Sequence, residues 1–154
     1  MELPAFKSKI VTPFVPLTFG YNYYIGKYLE KYIQSLGEKR ILGIKCGGCE
    51  RVIVPPRSTC GKCNLTMEEW VEVGPEGMVV NYTIAYVKIV NGEIKDLSEP
   101  AIIAMIRLDG ADSLIDCTIK GITPDKIKPG IRVKAVWKDE MKGRVTDLDH
   151  FEPV

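Results

Sequence analysis

Two cysteine pairs, Cys46-Gly-Gly-Cys49 and Cys60-Gly-Lys-Cys63, constrain this chain more than any other feature. Two residues between thiolates let both sulfurs face one point while backbone N–H groups of the loop stabilise their charge, so each pair reads as a metal knuckle. Gly47, Gly48 and Gly61 ease the turns. The ten residues between the pairs are rich in strand formers, as a hairpin leading from one knuckle to the other requires. Together they predict a rubredoxin-like zinc ribbon over residues 38–67, with Cys46, Cys49, Cys60 and Cys63 as ligands. Four thiolates close a tetrahedron and leave no position for water or substrate, so the metal is expected to be a structural Zn2+. Iron is the alternative, because tetrahedral four-thiolate sites suit both. The fifth cysteine, Cys117, sits in the strand pattern Leu114-Ile-Asp-Cys-Thr-Ile119 and reads as a packed side chain.

A different pattern precedes the ribbon. Residues 1–17 carry prolines at 4, 13 and 16 and no sustained period, which reads as an extended arm. From Phe19 to Leu36, Tyr21, Tyr24, Ile25, Tyr28, Leu29, Tyr32, Ile33 and Leu36 recur at the spacing of one helix face. Thr18 is the expected N-cap and Gly37 the expected C′ residue. The tyrosine stripe has two readings, the buried side of a helix or a contact surface for a partner or ligand channel.

Beyond the ribbon the chain reads as short strands: Glu69 to Val73, Met78 to Val90, Ala101 to Leu108, Ser113 to Lys120 and Ile131 to Trp137. Gly74-Pro75-Glu76-Gly77, Asn91-Gly92, Asp109-Gly110 and Pro129-Gly130 supply the reversals. Thr123-Pro-Asp-Lys-Ile127 predicts a helical turn between the last two strands. Five strands with such an insertion predict an OB-fold barrel. The expected fold is therefore mainly β in three units: arm and Tyr-rich helix (1–37), zinc ribbon (38–67) and five-stranded OB-fold (68–154).

Net charge is +1, too balanced to collect nucleic acid by overall field. Tyr82, Tyr86 and Lys88 on one strand nonetheless keep a nucleic-acid-binding module as the alternative function. Nothing in the sequence approaches the roughly 20 apolar residues of a membrane span, and the start lacks the apolar core of a signal peptide, so a cytoplasmic location is expected. Gly-rich phosphate loops, Gly-x-Ser-x-Gly and His-Glu-x-x-His are absent from the sequence. The single histidine, His150, stands among acidic residues and reads as a surface or packing residue rather than a general base. These features predict a binding module rather than an enzyme.

The ordered set of features resembles the acyl-CoA-associated zinc-ribbon and OB-fold family, domain-of-unknown-function family thirty-five. The resemblance runs from the aromatic helix through both cysteine pairs, Val54-Pro-Pro-Arg57, Glu69-Trp-Val-Glu-Val-Gly-Pro-Glu-Gly77, Pro100-Ala-Ile-Ile-Ala104 and Lys128-Pro-Gly-Ile-Arg-Val133 to His150-Phe-Glu-Pro153. It implies a non-catalytic accessory subunit of thiolase-superfamily enzymes. Archaeal-type members imply a scaffold joining acetoacetyl-CoA thiolase to hydroxymethylglutaryl-CoA (HMG-CoA) synthase, early in the mevalonate route. On that reading Tyr21, Tyr24 and Tyr28 would face a partner or a coenzyme A passage, and Arg57 would meet a CoA phosphate.

Overall fold

The computed structural model describes residues 22–154. In chain order its elements are α1 (Gly26–Gly37), β1 (Ile41–Lys45), β2 (Val52–Ile53), β3 (Glu69–Val73), β4 (Glu76–Val90), β5 (Glu93–Leu108), β6 (Ile115–Ile119), β7 (Arg132–Trp137), a 3-10 turn η1 (Val145–Asp147) and β8 (Leu148–Pro153).

Helix α1 starts later than the tyrosine period suggests. Gly26 adopts φ +78°, a left-handed conformation that stops the helix from extending backwards. Residues 22–25 are exposed, with Tyr23 and Tyr24 each 79% accessible, so no packing draws them into a helical turn. Thr18, the expected N-cap, lies outside the described residues; Ile25 holds that position with no side-chain cap. At the other end the left-handed residue is Lys39 (φ 59°) rather than Gly37. Gly37 instead lets the chain pass close to Gly143, whose Cα would stand 3.3 Å from a Cβ at that position.

Three strands in the order β2-β1-β3 form the ribbon sheet, and β4-β5-β6-β8-β7 close into a barrel. Four of the five strands expected for the barrel are there; the fifth is not. Glu69–Val73 pairs antiparallel with β1, from Ile41↔Val73 to Lys45↔Glu69, and so belongs to the ribbon sheet. The missing barrel strand is β8, which closes the sheet by running antiparallel to β7 and parallel to β6. A short polar-rich segment such as Leu148–Pro153 carries little strand signal alone, whereas Glu69–Val73 alternates well and finds its partner upstream. The connectivity is that of the OB-fold, and the turn expected near Thr123 is present as a single Lys126 N–H bond to the Thr123 carbonyl.

At the barrel entrance Gly77 makes the fold possible: a Cβ there would meet the Arg107 carbonyl oxygen at 2.5 Å and Leu108 Cα at 3.0 Å. One continuous core joins the two modules. Tyr32 and Leu36 of α1 and Ile41, Val52, Val54 and Val73 of the ribbon pack with Val79, Ile102, Ile106, Val133 and Phe151 of the barrel. Polar stitching seals the join. Val52 N–H donates to Asp112 Oδ2 at 2.9 Å and Asp112 N–H donates to the Val52 carbonyl. Ser113 Oγ accepts from Val54 N–H at 2.6 Å and donates to its carbonyl at 2.7 Å.

The loop after β7 is organised by one buried carboxylate. Asp147 Oδ2 accepts the N–H groups of Lys142 and Arg144, each at 3.0 Å. These bonds, the one from Arg144 first, hold its carboxyl below the usual carboxylate range. A depressed folded pKa adds stability that is complete above the unfolded carboxylate value and is lost as pH falls through the folded one. Wild type should therefore lose stability more steeply than Asp147→Asn as pH falls below about 4, in denaturant midpoints followed along a pH series. Parallel slopes would remove Asp147 from this role.

Candidate metal centre and adjoining surfaces

The two knuckles repeat one backbone design. Cys46 N–H donates to the Arg51 carbonyl and Glu50 N–H donates back to the Cys46 carbonyl; Cys60 N–H donates to Leu65 and Asn64 N–H to Cys60 in the same way. Each loop closes on a residue in the left-handed region, Glu50 at φ 59° and Asn64 at φ 55°. Gly48 N–H points at Cys46 Sγ, 3.4 Å away. Strands β1 and β2 carry the first knuckle, and the Thr59↔Thr66 bridge carries the second.

All four sulfurs lie within 4.8 Å of one another. Cys49 Sγ and Cys60 Sγ are 3.7 Å apart. A tetrahedron with metal–sulfur bonds of about 2.3 Å has edges of about 3.8 Å, so the donors are spaced for a single ion. The electrostatics agree. Backbone N–H groups of Cys63 and Lys62 hold Cys60 down at about 6. Cys63, crowded first by the Cys49 sulfur, is pushed up to about 12. Four thiolates this close repel one another, and a cation among them is what lets all four ionise. The centre is half sealed, with Cys46 and Cys60 buried and Cys49 and Cys63 partly exposed. Ile44 and Met67 pack beneath it, with Tyr28 and Trp70 at the side.

The tyrosine stripe divides. Tyr32 is a core residue, 5% accessible, and burial pushes its hydroxyl up to about 12. Tyr28 stacks on Trp70 with ring centroids 5.9 Å apart, tying α1 to the ribbon. Lys31 lies over the Trp70 ring at 4.4 Å. Tyr24 is exposed ahead of the helix, and Tyr21 lies outside the described residues. Arg57 is exposed beside Arg51 and Lys62 at the second knuckle. Tyr82 and Tyr86 do not share a stacking surface: Tyr82 packs against the barrel core, and a register shift between Ala85 and Val87 separates it from Tyr86. Cys117 is half-buried, and burial pushes its thiol up. His150 is 8% accessible and bonded to Asp149 and Glu152, so of its two expected roles, surface or packing, it takes the second.

One surface escaped the sequence reading. Strands β4 and β5 run on past the barrel to the Asn91-Gly92 turn, where φ is 53° and 81°. Val87↔Asp96 through Val90↔Glu93 pair only with each other among the described residues. Tyr86, Val87, Ile89 and Ile94 are 62%, 47%, 75% and 73% accessible there. The available signal was the Asn-Gly turn, which implies that β5 begins at Glu93 rather than at Ala101.

A four-cysteine ribbon fused through one core to an OB barrel defines the class, a zinc-ribbon and OB-fold protein. Residues 34–67 match the rubredoxin-like zinc ribbon domain of ChsH2, and residues 70–138 match its C-terminal OB-fold domain. A protein of unknown function from Sulfolobus solfataricus, of the DUF35 family, has a solved structure that is 32% identical. It covers 72% of this chain and 78% of its own, with a TM-score of 0.60. The chain belongs to the DUF35 family. A DUF35 domain-containing scaffold protein of Methanocaldococcus jannaschii is 29% identical over 125 residues, 74% of this chain and 82% of that protein. The solved structure of an Ltp2-ChsH2(DUF35) aldolase shares the fold at 22% identity, with a TM-score of 0.64 over 86% of this chain and 98% of its own. No helix among the described residues is long and apolar enough to cross a membrane.

Proposed function

We propose that this chain is a non-catalytic, cytoplasmic accessory subunit that bridges acetoacetyl-CoA thiolase and HMG-CoA synthase in the mevalonate route. Condensing two acetyl-CoA molecules is unfavourable, and a bridge that seats the next enzyme beside the first raises the local concentration of the product and draws flux forward. The observation that carries this reading is the β4–β5 hairpin. A two-stranded ribbon is marginal alone, and one that presents Ile89 and Ile94 to solvent needs a partner surface to cover them. The naming of the M. jannaschii relative as a scaffold supports the same reading. Zn2+ is the ion in the Cys46, Cys49, Cys60 and Cys63 site; with its tetrahedron filled, it supplies fold rather than chemistry to a substrate. Tyr21, Tyr24 and Tyr28 line the partner side or a coenzyme A passage, and Arg57 meets a phosphate.

The test is affinity purification of the tagged chain from its source organism, with RNase treatment, beside an Ile89→Asp/Ile94→Asp double variant. Wild type should bring down both enzymes in stoichiometric amounts. The variant should lose at least one of them with its thermal midpoint unchanged, because neither side chain is in the core. Recovery of RNA or ribosomal proteins in place of the enzymes would overturn the bridge in favour of a nucleic-acid module.

A further inference from the structure

Where α1 and η1 lie against β6 and β8, the packing leaves a hollow of about 330 Å³. Leu29 and Leu36 of α1, Ile115 of β6 and Leu148 of β8 give it apolar walls, and the exposed Val145 of η1 stands at its edge. No Lys, Arg or His lines it, and its one charged residue is Asp116. Tyr32, which also lines it, is 5% accessible, yet its hydroxyl has no hydrogen-bond partner among the described residues. A buried tyrosine hydroxyl ordinarily finds one. Among the described residues no side-chain nitrogen or oxygen is sealed away without a partner, so this hydroxyl keeps part of the small accessible area of Tyr32 and opens on the hollow. Burial pushes it up to about 12, with Cys117 and Asp116 of the same wall near enough to add to the effect. It therefore stays a proton donor throughout the physiological range.

We propose that this hollow binds a small uncharged molecule with an apolar body and one hydrogen-bond acceptor, the class of a compact aromatic or alicyclic alcohol or ketone. Apolar walls with a single well-placed donor are the usual make-up of a small-molecule site, and such sites begin at about 300 Å³. At about 30 Å³ for each water-sized group, the hollow holds a ligand of roughly ten non-hydrogen atoms. The ligand oxygen accepts from Tyr32, and its body lies against Leu29, Leu36, Ile115 and Leu148. Anions are excluded, because a phosphate or carboxylate would lose its water with no cation to replace it and would face Asp116. The Cys117 thiol, pushed up by burial, is uncharged and packs against the ligand without reacting. A molecule seated there touches the helix, η1 and two barrel strands together, so its binding holds α1 on the barrel. The hollow is separate from both the metal and the hairpin that carries the enzyme bridge.

The experiment titrates the full metal-loaded chain with benzyl alcohol, acetophenone and cyclohexylmethanol, and with benzoate as the anionic control, following backbone amide shifts by NMR. Alkylation of Cys117 is timed in parallel by peptide mapping, which separates it from the four metal ligands. Two variants are compared: Tyr32→Phe, which removes only the hydroxyl, and Val145→Trp, which fills the hollow from its edge. At least one uncharged probe should shift amides of α1 and β6 together and slow alkylation of Cys117, while benzoate binds at least about tenfold more weakly. Tyr32→Phe should weaken the probe by roughly two- to tenfold, the worth of one hydrogen bond, and Val145→Trp should abolish its binding. Without probe, both variants should melt within about 2 °C of wild type, because the hydroxyl has no partner to lose and Val145 is exposed. Three results overturn the site: no binding of any uncharged probe, binding that both variants leave unchanged, or benzoate bound as tightly as the alcohols.

Discussion

Removing the metal should open both knuckles while leaving the barrel closed. Beneath the sulfurs the ribbon buries only Ile44 and Met67 together with the ligands themselves, far too little apolar surface to hold a segment of this size. Structural zinc contributes about 10–16 kcal/mol in comparable small sites, so in the knuckles the ion replaces a core. The remainder of the ribbon is anchored differently. Ile41, Val52, Val54 and Val73 belong to the core shared with the barrel, and Asp112 and Ser113 bind the backbone of β2 and its extension. Chelation should therefore abolish hydrogen-exchange protection at Cys46, Glu50, Cys60 and Asn64 while amides of β4 to β8 stay protected. Loss of the Tyr28–Trp70 contact should accompany it and can be read in tryptophan fluorescence, because both rings pack against the metal cluster. Since protons compete with the metal for thiolates, lowering the pH should mimic the chelator. Unchanged protection of the knuckles in a chain proved metal-free would refute the structural role.

Phe151→Ala should be the most damaging single change in the barrel. Phe151 is wholly buried and is the residue at which β8 meets both neighbours, opposite Ile119 of β6 and Ala135 of β7. Its carbonyl also accepts Lys120 N–H at 2.9 Å. Truncating a buried Phe costs about 3–5 kcal/mol, from lost transfer energy and the cavity left behind. Against a total stability of about 5–15 kcal/mol, that is a large share. With each kcal/mol worth roughly 2–4 °C in a chain of this size, the thermal midpoint should fall by about 6–20 °C. Phe151→Leu, which refills most of the volume, should lose much less. A midpoint within about 2 °C of wild type for the alanine variant would mean that the β6–β8 closure is not where barrel stability resides.

The metal centre was legible because its information is local. Cysteine pairs two residues apart and glycines at the turns state the chemistry within a few positions, and the shared hydrogen-bond pattern of the two knuckles follows from that spacing. The OB-fold was legible as a count of strands and turns, since periodicity and Asn-Gly or Pro-Gly reversals are also local signals. Membership of each sheet was not. Glu69–Val73 alternates like a barrel strand, yet its hydrogen-bonding edge is taken by β1, some two dozen residues upstream. Leu148–Pro153, with two acidic residues and a histidine, looks like a tail until β6 and β7 are present on both sides.

For the tyrosines, the 3.6-residue period described one face correctly but could not say where the helix stops or which ring would be covered. Gly26 and the absence of packing around residues 22–25 ended the helix, and the barrel buried Tyr32 while Trp70 took Tyr28. The hollow lined by Tyr32, Cys117 and Val145 is likewise invisible in the order of residues, because it exists only once α1 and η1 are seated against β6 and β8. By itself, then, the sequence determined the ligand set, the two knuckles, the mainly β class and the family. Only the tertiary structure decided which strands close the barrel, which aromatic rings are core and which apolar residues of the hairpin remain uncovered. The reason is physical: ligand spacing, turns and periodicity act over a few residues, whereas pairing and burial depend on which distant segments compete for the same edge or the same core.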